Sequence, residues 1–161
     1  EKAKLLLLLM EAGVATLMID NQTESIGNTP EEKHIKELLK WLRLYKKEKI
    51  YLTNSLVRDF GKADAFTAEA SGLLAIQFSH SPAAYLLLYR PEIIQTVSWG
   101  GNPNEAIQFE EDKKKYHPRN SFHKWQEEVR STALPWEEEL LNIAQELRNV
   151  LVERMLMDMQ D

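Results

Sequence analysis

Ser71-Gly72-Leu73-Leu74-Ala75-Ile76-Gln77-Phe78-Ser79-His80-Ser81-Pro82-Ala83-Ala84-Tyr85-Leu86-Leu87-Leu88-Tyr89-Arg90-Pro91 is the stretch whose reading sets the architecture. It holds two nearly unbroken apolar runs, Gly72–Phe78 and Tyr85–Tyr89, separated by the polar turn residues Ser79-His80-Ser81-Pro82. Both runs are too short for a buried helix, and Pro91 closes the second. Strands with no polar alternation are covered on both faces. The expectation is therefore two central, paired strands with further structure above and below them.

The flanking segments supply that structure. Val14–Ile19 is a strand candidate, Asp20-Asn21 has turn chemistry, and Thr23–Ile26 returns as the second arm of a hairpin. Ile50–Leu52 is a short strand, residues 53–69 are irregular or briefly helical, and Ile93–Trp99 continues as a further strand. Residues 2–11 suggest a short helix, apolar almost all round and capped by Gly13. Thr29-Pro30-Glu31-Glu32 predicts a helix start, with Thr29 as cap, Pro30 at the first helical position and Glu32 completing a capping box. Ile35, Leu38, Leu39, Leu42 and Tyr45 then share one face at helical spacing, opposite the solvated Lys33, Lys36, Lys40 and Lys47. Phe122–Arg130 reads as a short helix.

A long helix follows Pro135, from Trp136 to about residue 160, with Glu137, Glu138 and Glu139 in its first turn, where the helix dipole favours acids. Leu140, Ile143, Ala144, Leu147, Val150, Leu151 and Met155 make a wide apolar stripe. At 1.5 Å per residue such a helix is about 35 Å long, more than a small domain covers, so part of it is expected to meet another chain or domain. Leu140, Ala144, Leu147 and Leu151 recur at four-three-four spacing, as in a helix-pairing seam, which predicts self-association. The competing expectation is that this face only covers its own sheet.

Between Gly100 and Arg119 the periodicity fails. That stretch contains Gly100-Gly101-Asn102-Pro103 and the charged run Glu110-Glu111-Asp112-Lys113-Lys114-Lys115. Some twenty residues without core-forming pattern inside a domain are usually functional. Trp99 and Trp125 flank this excursion and can anchor it to another surface, whereas Trp41 and Trp136 sit on amphipathic helices and are expected at the core or its edge.

Composition narrows the function. The chain has 161 residues, one domain's worth, with 20 Lys+Arg against 25 Asp+Glu, a formal charge of −5. That balance lacks the basic footprint of nucleic-acid binding or of docking on anionic lipid. Leu5–Met10 is far short of the ~20 apolar residues of a membrane span, and a cytoplasmic location is expected. There is no cysteine, hence no disulfide, thiolate–zinc site, thiol nucleophile or thioether-linked cofactor on this chain. Phosphate-binding glycine loops, HExxH and GxSxG are absent, and His80, His117 and His123 follow no metal-ligand spacing. No catalytic residue and no metal ligand is expected. The start at Glu1 suggests a piece of a longer protein.

Two segments bracket the excursion: Trp99-Gly100-Gly101-Asn102-Pro103 opens it and Pro118-Arg119-Asn120-Ser121-Phe122 closes it. Together they resemble the PHY domain of phytochromes, whose "tongue" begins W-G/A-G and ends P-R-x-S-F. Ser71-Gly72-Leu73-Leu74-Ala75-Ile76, Leu87-Leu88-Tyr89-Arg90-Pro91-Glu92 and Leu134-Pro135-Trp136 resemble further motifs of the same family, in order and at suitable spacing. The resemblance spans essentially the whole chain.

It implies one PHY domain over residues 1–161, of α+β class and GAF-like. A central antiparallel sheet would be flanked by helices, with a tongue at about 99–122 and a signalling helix at about 136–160. It implies a linear tetrapyrrole (bilin) held by a neighbouring GAF domain and not by this chain. The tongue, through Trp99, Gly100, Gly101, Pro118, Arg119, Ser121 and Phe122, would seal that pocket and refold between the red- and far-red-absorbing states. Arg119 would pair with a GAF aspartate in one state and Ser121 replace it in the other, with Trp125 and Glu127 as switch or support. The partners implied are that GAF domain, an output module that is often a histidine kinase, and a second copy through the helices. The alternative is a free-standing GAF-like small-molecule sensor, which needs a closed cavity between sheet and helices.

Overall fold

The computed structural model describes residues 14–93 and 130–160. Five strands form one antiparallel sheet: β1 (Ala15–Ile19), β2 (Gln22–Ile26), β3 (Ile50–Thr53), β4 (Gly72–His80) and β5 (Ala83–Arg90), in the order β2-β1-β5-β4-β3. The helices are α1 (Glu32–Tyr45), the single turn α2 (Leu56–Asp59), continued by a 3-10 segment at Gly61–Phe66, and α3 (Glu138–Gln160). The α+β class expected from the sequence is what is observed.

β4 and β5 are interior strands, and residues 72–78 and 84–89 are all buried. Side chains alternate between the two faces, as the pleat requires. Leu73, Ala75, Tyr85, Leu87 and Tyr89 pack with Ile35, Leu38, Leu39 and Leu42 of α1. Leu74, Ile76, Phe78, Leu86 and Leu88 pack with Ala144 and Leu147 of α3. The missing polar alternation thus reflects a helix on each face.

The β1–β2 turn is the expected one. Asp20 (φ 51°) and Asn21 (φ 68°) both take left-handed backbone, the two-residue geometry whose twist suits a hairpin and which Asp and Asn tolerate. The β4–β5 turn is tighter than expected. Ser79 pairs with Ala84 and His80 with Ala83, leaving Ser81-Pro82 as the loop. Ladder pairing uses backbone groups, so the polar side chains at 79 and 80 do not end it.

Four helix expectations are corrected. Glu31, not Thr29, is the cap of α1; it is extended (φ −62°, ψ 151°), makes no side-chain capping bond, and accepts the His34 and Ile35 N–H groups on its carbonyl. Pro30 is buried ahead of the helix and not within it. Tyr45, the last residue of α1, is 69% exposed, as is its neighbour Leu44 at 57%, so the buried face ends at Leu42. α3 begins at Glu138, since Trp136 is engaged elsewhere.

The α3 stripe is narrower than predicted, with Val150 44% exposed. Ala144 and Leu147 of the proposed pairing seam are buried against the chain's own sheet, and Leu151 is partly buried there. Arg148 Nε donates to the Gln77 carbonyl at 2.9 Å, adding a polar tie. Within the chain, Ala144 and Leu147 thus cover the sheet, as the competing expectation has it, while Leu140 of the same seam stays half-buried outside that cluster. The helix at 2–11, the strand at 93–99 and the segment 122–130, apart from Ile93 and Arg130, lie outside the described residues.

Beneath α1 the Tyr89 hydroxyl donates to Thr16 Oγ1 at 2.9 Å, and Thr16 is hydrogen-bonded to Ser25 at 2.8 Å, linking β5, β1 and β2. Burial pushes the phenols of Tyr89 and Tyr51 up, the latter helped by its bond to Asp59. Above the ordinary tyrosine value of about 10 the unfolded chain loses protons that the native one keeps, so stability falls as pH rises. Tyr89→Phe should cost about 1 kcal/mol at neutral pH and flatten that alkaline fall, read from denaturant melts between about pH 8 and pH 11.

Candidate functional site

Trp99, Gly100, Gly101, Pro118, Arg119, Ser121, Phe122, Trp125 and Glu127 all lie outside the described residues, as does the charged run at 110–115. What is described is the root of that excursion, where the chain leaves after β5 and returns before α3.

Backbone and side-chain bonds tie its two ends together. The Ile93 N–H donates to the Thr132 carbonyl at 2.8 Å, and the Ser131 N–H donates to Glu92 Oε2 at 2.6 Å. Glu92 is 8% exposed, so its carboxylate is committed to the root and not to solvent. Ser131 is left-handed (φ 61°), a conformation that costs a non-glycine residue about 1 kcal/mol or more and persists where neighbours enforce it. Here Glu92 takes its N–H and the Ser55 hydroxyl donates to its carbonyl at 3.1 Å. The Ala133 N–H then donates to the Asn54 carbonyl at 2.7 Å, stitching the returning arm to the end of β3.

Arg90 completes the root. Its Nη1 donates to the Leu134 and Pro135 carbonyls at 3.2 and 2.7 Å, and its guanidinium lies 4.1 Å from the centroid of the Trp136 ring. Those two carbonyls precede α3 and have no helical or sheet partner, so a fork of fixed donors suits them. Burial pulls the Arg90 value down and Glu137 opposes that; the guanidinium stays charged. Trp136 Nε1 donates to the Thr53 carbonyl at 3.0 Å. Gly72 is required by closeness: a Cβ there would stand 2.8 Å from Ala133 Cβ and 3.1 Å from Arg90 Cβ.

Gly72, Arg90, Glu92 and Trp136 are thus brought together, although the sequence placed them only in separate family motifs and elements and did not relate them to one another. The available signal was their residue types: a glycine in a buried strand, an arginine before a proline, and a tryptophan at a helix entrance. As expected, Trp41 and Trp136 are partly buried against the two cores. His80 is exposed, with its Nδ1 3.1 Å from Gln77 Nε2, and no cluster of three or more metal-binding side chains occurs among the described residues. No described helix is long and apolar enough to cross a membrane. The root holds two chain ends in register, and its described residues present no acid–base pair.

The family model of the phytochrome region, PHY, matches residues 1–160. The chain belongs to the phytochrome region family. It is 40% identical over 133 residues to the phytochrome-like protein Cph1 of Synechocystis sp., covering 81% of this chain and 18% of that protein. To cyanobacterial phytochrome A of Nostoc sp. it is 37% identical over 153 residues, covering 94% of this chain and 20% of the relative. The chain thus spans about a fifth of the length of these phytochromes. Among solved structures, the photosensory core module of the Stigmatella aurantiaca phytochrome superposes with a TM-score of 0.67 at 31% identity, covering 94% of this chain and 30% of that one. The bacteriophytochrome RpBphP3 of R. palustris gives 0.64 at 23% identity, covering 96% and 31%, a likeness of fold. The PHY fold expected from the motifs is therefore the fold found.

Proposed function

We propose that this PHY region is the non-catalytic signalling domain of a phytochrome photoreceptor. Its tongue, about residues 99–122, closes over a bilin held by an adjacent GAF domain, and the light-driven change passes through α3 to an output module such as a histidine kinase. The observation that carries this reading is the root: the two ends of the excursion are bonded to each other, and the returning arm runs straight into the Arg90–Trp136 contact at the start of α3. A movement of the excursion relative to the sheet has a short covalent path to the helix. The bilin belongs to the neighbouring domain, since this chain offers no cysteine to attach it. The sensor alternative needs a closed cavity between sheet and helices; among the described residues Leu38, Leu42, Leu73, Leu87 and Tyr89 fill the centre of the space between α1 and the sheet, and the cleft at its edge, beside the β1–β2 hairpin, is open to solvent.

Within this reading Arg119 meets a GAF carboxylate in one photostate, where its planar fork is suited to bidentate pairing, and Ser121 takes its place in the other. Trp99, Gly100, Gly101, Pro118 and Phe122 shape the seal, and Trp125 with Glu127 switches or supports it. The test is Arg119→Ala in the full-length receptor. It should shorten the lifetime of one photostate by about tenfold or more, as loss of a partly dry ion pair implies, while bilin attachment stays intact. Unchanged photoconversion and dark-reversion rates would remove Arg119 from the mechanism. The 161-residue chain alone, mixed with biliverdin, should show no intense red absorption band; a stoichiometric coloured complex would instead favour the sensor.

A further inference from the structure

A cleft of about 580 Å³ opens between α1 and the β1–β2 hairpin, on the opposite side of the sheet from α3. Lys36, Lys40 and Arg43, at four- and three-residue spacing along α1, form one wall. Asn21 and Thr23 form the other, and Met18, Leu39 and Leu44 supply apolar surface. Among the described residues no carboxylate lines it, although the whole chain carries a formal charge of −5. Lys36 is 3.6 Å from Glu32; Lys40 and Arg43 make no ion pair among the described residues. Thr23 stands opposite Met18 in the hairpin, so its side chain shares the α1 face of the sheet, whereas Glu24 points to the other face.

A second observation comes from beneath the cleft. Tyr85 faces Met18 across the β1–β5 ladder and is 3% exposed, yet its hydroxyl has no hydrogen-bond partner among the described residues. Buried hydroxyls are nearly always paired, and an orphan asks for an explanation. Burial raises the Tyr85 phenol, against the nearby charge of Arg43, so it remains a neutral O–H donor.

We propose that this cleft binds a small organic carboxylate with an apolar body, the carboxylate held by Lys40 and Arg43 and the body laid on Met18, Leu39 and Leu44. Its volume lies within the range of about 300–1,000 Å³ common for small-molecule sites, and the arginine fork suits a carboxylate, with the lysine as a second positive charge. The Asn21 amide and the Thr23 hydroxyl are further donors lining the same space, and the buried Tyr85 lies beneath it, opposite Met18. This site is independent of the tongue and of the relay reading.

Octanoate is the probe, with octan-1-ol as the uncharged control, and backbone amide shifts of the isotope-labelled chain are the readout. Octanoate should give saturable shifts centred on Asn21, Thr23, Lys40 and Arg43, and octan-1-ol should bind at least about tenfold more weakly. Lys40→Gln with Arg43→Gln should weaken octanoate by a similar factor at unchanged melting temperature, since both side chains are exposed. Lys62→Gln, on a neighbouring cleft that shares Lys40 and Leu44 with this one but not Arg43, should leave octanoate binding unchanged. Shifts that do not saturate or that centre elsewhere, equal binding of the alcohol, or full binding by the double variant would overturn the proposal. Saturable shifts with oligoglutamate but none with octanoate would also overturn it and assign the cleft to a protein partner.

Discussion

Leu147→Ala should destabilise the domain by about 3 kcal/mol, which for a chain of this size lowers the melting temperature by roughly 6–12 °C. Leu147 is 3% exposed and sits in the cluster formed with Leu74, Ile76, Phe78, Leu86 and Leu88. Truncation removes its transfer free energy and leaves a cavity between a helix and a twisted sheet, two surfaces that cannot close on each other without shifting α3. Ala144 is the other fully covered contact of this helix, while Leu151, Val152 and Met155 are only partly covered, so the docking of α3 is concentrated at few positions. Leu156, on the same helix but 56% exposed, is the control: Leu156→Ala should stay within about 0.5 kcal/mol. The check is a pair of thermal melts. Equal losses for the two variants would mean that the outer end of α3 is also covered. In the full-length receptor, Leu147→Ala should weaken output while leaving the spectrum of the bilin unchanged, if α3 is the relay.

Gly72→Ala should cost about 1–3 kcal/mol, against the small gain that Gly→Ala brings where there is room. The new Cβ would meet Ala133 Cβ at 2.8 Å and Arg90 Cβ at 3.1 Å. Both are β-carbons set by their own backbones, so neither can rotate away and the returning arm must move. The strain falls on the bonds that close the root, and the amides of Ile93 and Ala133, which donate to Thr132 and Asn54, should exchange hydrogen faster. Ala133→Gly in the same chain should recover most of the loss, a coupling that a double-mutant cycle measures. A neutral Gly72→Ala would show that the close approach of strand and returning arm is not needed. Loss without recovery would place the conflict at Arg90.

Much of the fold was legible for local reasons. An apolar run such as 72–78 or 85–89, bounded by polar turn residues and a proline, has few ways to bury itself, and a central strand is the simplest. Asp20-Asn21 marks a hairpin because its side chains tolerate left-handed backbone. Ile35, Leu38, Leu39 and Leu42 mark a helix because apolar side chains at that period share one face. The failures were at edges, where local rules compete with tertiary contacts. Pro30 was read as the first residue of α1 but is buried ahead of it, and Trp136 was read as helical but is drawn to the Thr53 carbonyl and to Arg90. Tyr45 and Val150 fit the helical period yet stand in solvent, because period alone does not say how far the neighbouring sheet extends.

By itself, then, the sequence determined the element types, the two-sided sheet and, through five short motifs in order, membership of the phytochrome region family. Only the tertiary structure decided what those motifs do together at the root. Gly72, Arg90 and Trp136 lie far apart in the chain, and no turn, cap or periodicity relates them. They meet because β4 and β5 pair in the register that sets Gly72 opposite Arg90, and because the returning arm at Ser131–Ala133 is bonded across the end of β3. The same holds for α3, whose four-three-four seam suits a partner helix and its own sheet equally well. Within the chain Ala144 and Leu147 meet the sheet because Leu74, Ile76 and Leu86 needed cover and the chain returned beside them, a proximity that no stretch of the sequence encodes alone.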